Sequence, residues 1–217
     1  MHNKYYLDDD KTIEVPSVTQ ILSIINKPYL INWAYKIGKD GKDLNKVRED
    51  ATTIGSMVHA MIEADLKNIA HPSADELDAE QLAEVFASYD QYLLWKSNYP
   101  NYKLVFSEES MVSKVSKYGG TIDALFQSGN EYILVDFKTS TQISTEYWIQ
   151  LIAYVNLLYD SKRIKTDKIS ILRLPKNGAA YEFPIKEIET MAKGDLYWKY
   201  FLSLKEVYPL YKSISKN

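Results

Sequence analysis

Gly119-Gly120-Thr121-Ile122-Asp123-Ala124-Leu125-Phe126, then Gln127-Ser128-Gly129-Asn130-Glu131-Tyr132, then Ile133-Leu134-Val135-Asp136-Phe137-Lys138 run without a break, and the rest of the chain can be placed around them. Two runs rich in β-branched and aromatic residues, 121–126 and 132–137, flank Ser128-Gly129-Asn130, which supplies the positive φ angles of a hairpin turn. The reading is two antiparallel strands. Each carries one carboxylate in an apolar setting, Asp123 in the first and Asp136 in the second. With a side-chain period of two, Asp136 and Lys138 share one face of their strand and Phe137 points to the other.

An ionised carboxylate in an apolar strand is costly to bury without compensation. A hard divalent cation shared by Asp123 and Asp136 would supply it, and the Lys138 ammonium could orient or help deprotonate a water there. Such an arrangement suits phosphodiester hydrolysis. Taken alone, an Asp-x-Lys tripeptide is common by chance and reads first as an ion pair at a strand end.

The surrounding segments change that balance. Pro16-Ser17-Val18-Thr19 opens an apolar helix, Gly55-Ser56-Met57-Val58-His59 lies in a second helical pattern, and Glu109-Ser110-Met111-Val112 precedes the glycines. Gln150-Leu151-Ile152-Ala153-Tyr154 follows Leu134-Val135-Asp136-Phe137-Lys138-Thr139-Ser140. In this order the motifs resemble the PD-(D/E)XK nuclease superfamily. More narrowly, they resemble its RecB-like branch, with its phage exonucleases and the mitochondrial genome maintenance exonucleases, over most of the chain from Pro16 to about Tyr154.

That resemblance implies a restriction-endonuclease-like α/β fold, a mixed central sheet flanked by helices. It divides the chain into an N-terminal helical portion, 1–100, contributing His59, and a nuclease core, 101–217, within one continuous structural domain. It implies that His59, Glu109, Asp123 and Asp136, with the backbone carbonyl of Phe137, hold one or two Mg2+ or Mn2+ ions. Glu109, Asp123, Asp136 and Lys138 carry catalysis, while Gln150, Tyr154, Thr139, Ser140 and Ser17 contact DNA. Because Glu108 and Glu109 are adjacent in a strand, they point to opposite faces, and Glu108 is the alternative ligand. The implied activity is metal-dependent exonuclease action on single-stranded or end-bearing DNA in phage or bacterial replication, recombination or repair. A structure-specific endonuclease, an RNA substrate, and a non-catalytic DNA-binding or assembly subunit are the alternatives.

Composition narrows the classes. A chain of 217 residues is large enough for one substantial core. It has no cysteine, which excludes disulfides, thiolate nucleophiles and the iron–sulfur type of this nuclease branch. No apolar run approaches membrane-spanning length and the first residues carry no signal pattern, so the expectation is a soluble, cytoplasmic protein of a bacterial or phage-infected cell, without a membrane partner. Formal charge is −3, unevenly spread: residues 61–100 hold eight acids against two bases, and 161–217 hold twelve bases against six acids. The basic segment reads either as a backbone-binding face or as ordinary solvated surface. The 18 tyrosines could stack on unpaired bases or simply reflect a biased composition.

Periodicity supplies the remaining elements. Ser17 with Gln20 forms a capping-box pattern before an apolar stripe of Val18, Ile21, Leu22 and Ile25, ended by Pro28. A helix follows over 30–37, a polar loop over 38–49, and a helix over 52–68. Another helix runs from Leu82 to about Asn98. Strands are expected at 103–112 and 168–174, a helix at 145–159 burying Trp148, Leu151, Ile152, Val155 and Tyr159, an extended piece at 180–183, and a last helix from about 186 whose Tyr197, Phe201, Leu204 and Tyr208 face the core.

Overall fold

The computed structural model describes residues 4–189 and 194–215. A small ribbon, β1 (Tyr5–Tyr6) and β2 (Glu14–Val15), leads into α1 (Val18–Leu22). The predicted capping box forms: Ser17 Oγ accepts from the Gln20 N–H at 3.0 Å, and Gln20 Oε1 accepts from the Ser17 N–H at 2.9 Å. α1 stops at Ser23, well before Pro28, which becomes the N-cap of α2 (Tyr29–Lys39).

The loop expected at 38–49 is shorter than its composition suggested, because α3 (Leu44–Lys67) starts eight residues before position 52. Asp43 Oδ1 accepts from the Asn45 and Lys46 N–H groups at 2.7 and 3.1 Å, and this cap sets the helix start. The first turns of α3 are largely exposed, so no apolar stripe announces them. A second capping box, Asp78 with Gln81, opens α4 (Ala79–Asn98).

The sheet then forms from β3 (Lys103–Ser113), β4 (Tyr118–Ser128) and β5 (Glu131–Lys138), and, after α5 (Thr145–Lys162), from β6 (Lys168–Arg173) and β7 (Ile185–Glu187). Strand order follows chain order. β3, β4 and β5 are an antiparallel meander, with Gly129 at φ +61° in the two-residue turn between the paired Ser128 and Glu131. The α5 crossover makes β6 parallel to β5, and β7 returns antiparallel to β6.

Two expectations fail at this edge. Within 180–183 only Glu182 bridges to Arg173, and the strand lies instead at β7, where Ile185, Lys186 and Glu187 pair with Ser170, Ile169 and Lys168. The free edge of β6 takes up those backbone groups, so residues 185–187, where the last helix was expected to begin, are strand; α6 is Gly194–Ile214.

Helices cover both faces, which makes this an α/β fold with a mixed central sheet, as the strand pattern predicted. On one face Leu125, Leu134, Ile169 and Ile171 pack with Ile21 of α1, Leu151 of α5 and Phe201 of α6. On the other, Val135, Phe137 and Leu172 pack with Val58 and Ile62 of α3 and Tyr92 and Trp95 of α4. In α5, Val155 is only half-buried and Tyr159 is exposed, whereas Ile149, Ala153, Leu157 and Leu158 are buried, so this helix is apolar over more of its circumference than a single stripe. Among the described residues no helix is long and apolar enough to cross a membrane.

Candidate metal and active centre

The candidate centre lies where two strands part. Ala124 and Val135 are the last paired residues of β4 and β5; beyond them the ladder opens. The Phe137 N–H donates to Asp123 Oδ2 at 2.7 Å instead of to a backbone carbonyl. The Phe137 carbonyl lies 3.1 Å from His59 Nε2, and His59 Nδ1 is 3.8 Å from Asp123 Oδ2. A proton on Nε2 satisfies that carbonyl and leaves the Nδ1 lone pair facing the carboxylate. Helix α3 therefore delivers His59 to the mouth of the fork.

β3 closes the group with Glu108. One ligand atom each from His59, Glu108 and Asp123 lie within 4.8 Å of one another, and such a set can hold a metal ion. Burial, reinforced by the charges of Asp123 and Glu63, pushes the Glu108 carboxyl up to about 8. Acids crowded this closely want a cation.

Glu109, expected to face inward, is not in this group. Its carboxylate pairs with Lys162 of α5 at 2.5 Å. β3 carries an extra residue at Val105, shown by the change from Leu104↔Phe126 to Phe106↔Leu125. A straight ladder continued from Leu104 would put Glu109 on the Asp123 side. The bulge shifts the register by one, so Ser107↔Ala124 and Glu109↔Ile122 leave Glu108 across from Asp123. Glu108 itself sits at φ +51°, a conformation costly for a non-glycine residue and concentrated at functional sites.

Asp136 and Lys138 form an ion pair next to this group, the carboxylate buried and the ammonium half-buried. Asp136 is 1% exposed, and Lys138 Nζ is 2.5 Å from its Oδ2, yet no hydrogen bond of ordinary geometry reaches either oxygen. Burial raises the Asp136 pKa, the Lys138 ammonium draws it back, and Asp123 raises it further. For Lys138, burial works against the charge, but the carboxylates of Asp136 and Asp123 outweigh it and hold the pKa above the ordinary lysine value. The two carboxylates thus favour the ammonium form of Lys138. Its Nζ also sits 5.0 Å above the Tyr147 ring. The His59, Glu108 and Asp123 oxygen and nitrogen donors fit a divalent cation at the fork, with the buried Asp136 carboxylate balanced by Lys138.

Other expected site residues are placed differently. Gln150 and Tyr154 are buried, and Gln150 Nε2 donates to the Tyr154 hydroxyl at 3.2 Å. Burial and the nearby Asp136 charge raise the Tyr154 pKa, so the phenol is neutral. Ser17 is buried, and its hydroxyl accepts from Gln20 in the α1 cap and lies 3.0 Å from Thr19 Oγ1, so it is engaged within its own segment. Thr139 and Ser140 follow β5 at half-buried positions. A Cβ on Gly55 would lie 3.4 Å from Thr139 Oγ1, an ordinary contact, so α3 passes next to Thr139 there. Arg173, which periodicity did not single out, lies opposite Lys138 in the β5–β6 register; its Nη1 reaches the Ser140 and Thr141 carbonyls at 3.4 Å. Its place beside Lys138 follows from the β5–β6 pairing, which no local sequence signal records.

The basic balance of 161–217 is partly neutralised: Lys162, Lys165, Lys168, Arg173 and Lys176 pair with Glu109, Glu189, Glu131, Glu182 and Glu84. Gly120 has a packing role, since a Cβ there would lie 2.6 Å from Tyr154 Cε1. Gly120→Ala should destabilise the protein by about 1–3 kcal/mol through this overpacking. Denaturant unfolding measures the loss, and an unchanged midpoint would refute the close fit.

No family model matches the sequence, and no curated protein matches it. Among solved structures, the chain is similar to SSO0001 at 15% identity, over 72% of this chain and 72% of that one, with a TM-score of 0.36. It is also similar to an alkaline exonuclease, LHK-Exo, from Laribacter hongkongensis at 12% identity, over 73% of this chain and 83% of that one, with a TM-score of 0.35. The same exonuclease in complex with dAMP aligns at 9% identity over 93% of each chain, with a TM-score of 0.39. Likeness this loose leaves any functional reading to the centre's own geometry.

Proposed function

We propose that this protein is a divalent-metal-dependent deoxyribonuclease that hydrolyses phosphodiester bonds from a free end, with single-stranded DNA as its preferred substrate. The observation that carries this reading is the fork itself: His59, Glu108 and Asp123 gathered around one point, beside a buried carboxylate paired with a half-buried ammonium. The residue types suit Mg2+ or Mn2+, with oxygen ligands favouring the former and the imidazole making the latter at least as suitable. His59, Glu108, Asp123 and Asp136 would hold the ion, with the Phe137 carbonyl within reach once His59 turns from it. When bound, the cation lowers the pKa of water and offsets charge building on the phosphoryl oxygens.

The chain's own groups do the rest. Lys138, kept charged by Asp136, holds a phosphoryl oxygen and aligns the attacking water. Asp123 fixes the Phe137 backbone through its accepted hydrogen bond, which keeps the fork open. Gln150 and Tyr154 form a neutral, buried wall behind Asp136 that keeps water from that side. Preference for an end and for a single strand rests on the motif resemblance, as does a setting in phage or bacterial replication, recombination or repair.

Incubation of end-labelled linear single-stranded DNA with Mg2+, Mn2+ or chelator tests the proposal, with a closed single-stranded circle alongside. Short products from the linear strand with either metal, none in chelator, and an intact circle are expected. Rapid cutting of the circle would replace exonuclease with endonuclease action. No cleavage of single- or double-stranded DNA with any metal would leave a DNA-binding subunit without chemistry.

A further inference from the structure

Helix α6 is apolar on two adjacent faces where one would suffice to anchor it. Tyr197, Phe201, Leu204 and Tyr208 pack on the core shared with α1 and α5. One residue out of phase, Leu196, Tyr200, Val207, Leu210, Tyr211 and Ile214 are all at least 45% exposed. At 3.6 residues per turn these six fall within an arc of roughly 100°, and the small, exposed Ser203 lies within that arc near the middle of the helix. A continuous apolar stripe this long on an outer helix face marks an interaction surface.

The flanking charges say what fits it. Along one side of the stripe lie Asp195, Lys199 and Glu206, all exposed without an ion pair among the described residues, and Lys199 and Glu206 stand on either side of Ser203 with opposite sign. Reversed end to end, the Lys199 and Glu206 positions exchange, so a second copy sets opposite charges against each other. We propose that α6 pairs with α6 of a second copy of this chain, antiparallel, across a two-fold axis near Ser203.

In that arrangement Leu196 meets Tyr211 of the partner subunit and Tyr200 meets the partner's Val207. Lys199 faces the partner's Glu206. The crossing point falls at Ser203, where a small side chain lets two helices approach. A parallel pairing would set each charge against its own kind and is disfavoured. The interface is isologous, so it closes at a dimer. One helix pair covers less than the ~800 Å2 per partner of a standard stable interface, so association is concentration-dependent.

Analytical ultracentrifugation of the full chain across concentrations tests this, with circular dichroism and thermal melting confirming the fold of each variant. A monomer–dimer equilibrium with Kd of about 1–100 μM is expected. Val207→Lys should weaken it more than about tenfold without lowering the melting temperature, because the side chain is exposed in the monomer. Lys199→Glu should also weaken it, and adding Glu206→Lys to Lys199→Glu should restore it. A wild-type chain that stays monomeric at roughly 200 μM, well above the expected Kd, would overturn the proposal. So would a dimer indifferent to Val207→Lys, or a double charge reversal no tighter than the single. None of these readouts depends on DNA cleavage.

Discussion

Lys138→Ala should lower metal-dependent DNA cleavage by about 10²–10⁴-fold, the range for removing a positioned proton-transfer or charge-stabilising group. The ammonium is charged and 2.5 Å from Asp136, so truncation removes both a positioned cation and the carboxylate's counter-charge. Truncation also leaves Asp136 buried without its counter-charge, which costs up to about 3–5 kcal/mol for an isolated buried ion and less once the carboxyl takes up a proton. Activity is therefore measured well below the variant's melting temperature. A companion variant, Asp136→Asn with Lys138→Gln, replaces the ion pair by two neutral amides and should melt closer to wild type while remaining inactive. Near-wild-type cleavage by folded Lys138→Ala would remove Lys138 from the chemistry.

Glu108→Gln should abolish metal binding and cleavage, and Glu109→Gln should spare both. Glu108 is grouped with His59 and Asp123, whereas Glu109 is tied to Lys162 in a partly exposed pair worth at most about 1 kcal/mol. Calorimetric titration with Mn2+ separates the two variants. The opposite outcome, with Glu109→Gln inactive and Glu108→Gln active, would invert the assignment. In chelator the same substitution should stabilise the protein at alkaline pH. The Glu108 carboxyl is raised from 4.5 to about 8 in the folded chain. Its contribution to stability is complete below about pH 4.5 and is lost as pH rises through 8. Glutamine cannot ionise, so at pH 8 Glu108→Gln should exceed wild type by roughly 2–4 kcal/mol, with little difference near pH 4. Added metal should reverse the order by stabilising wild type alone. Stability curves that stay parallel across this range would show that Glu108 is not held protonated.

The local features of this protein were legible in its residues. The hairpin followed from two β-rich runs around Ser128-Gly129-Asn130, and the start of α1 from Ser17 with Gln20; both are decided by neighbours within a few positions. The alternation placing Asp136 and Lys138 on one side needed only the strand period. What the tertiary structure decided was each feature that depends on a distant partner. Glu108 rather than Glu109 joins the centre because a bulge at Val105 forms only when β3 is laid against β4. Gln150 and Tyr154 read as a face free to reach a ligand, but the packing of α5 on the sheet buries them against each other. β7 replaced the expected start of the last helix because the edge of β6 offers it hydrogen bonds, and no local propensity records an open edge. Propensity and period are properties of the chain near a residue, whereas register, burial and edge pairing are set by which elements meet; that is why the carboxylate of Asp123 could be read in advance and the glutamate opposite it could not.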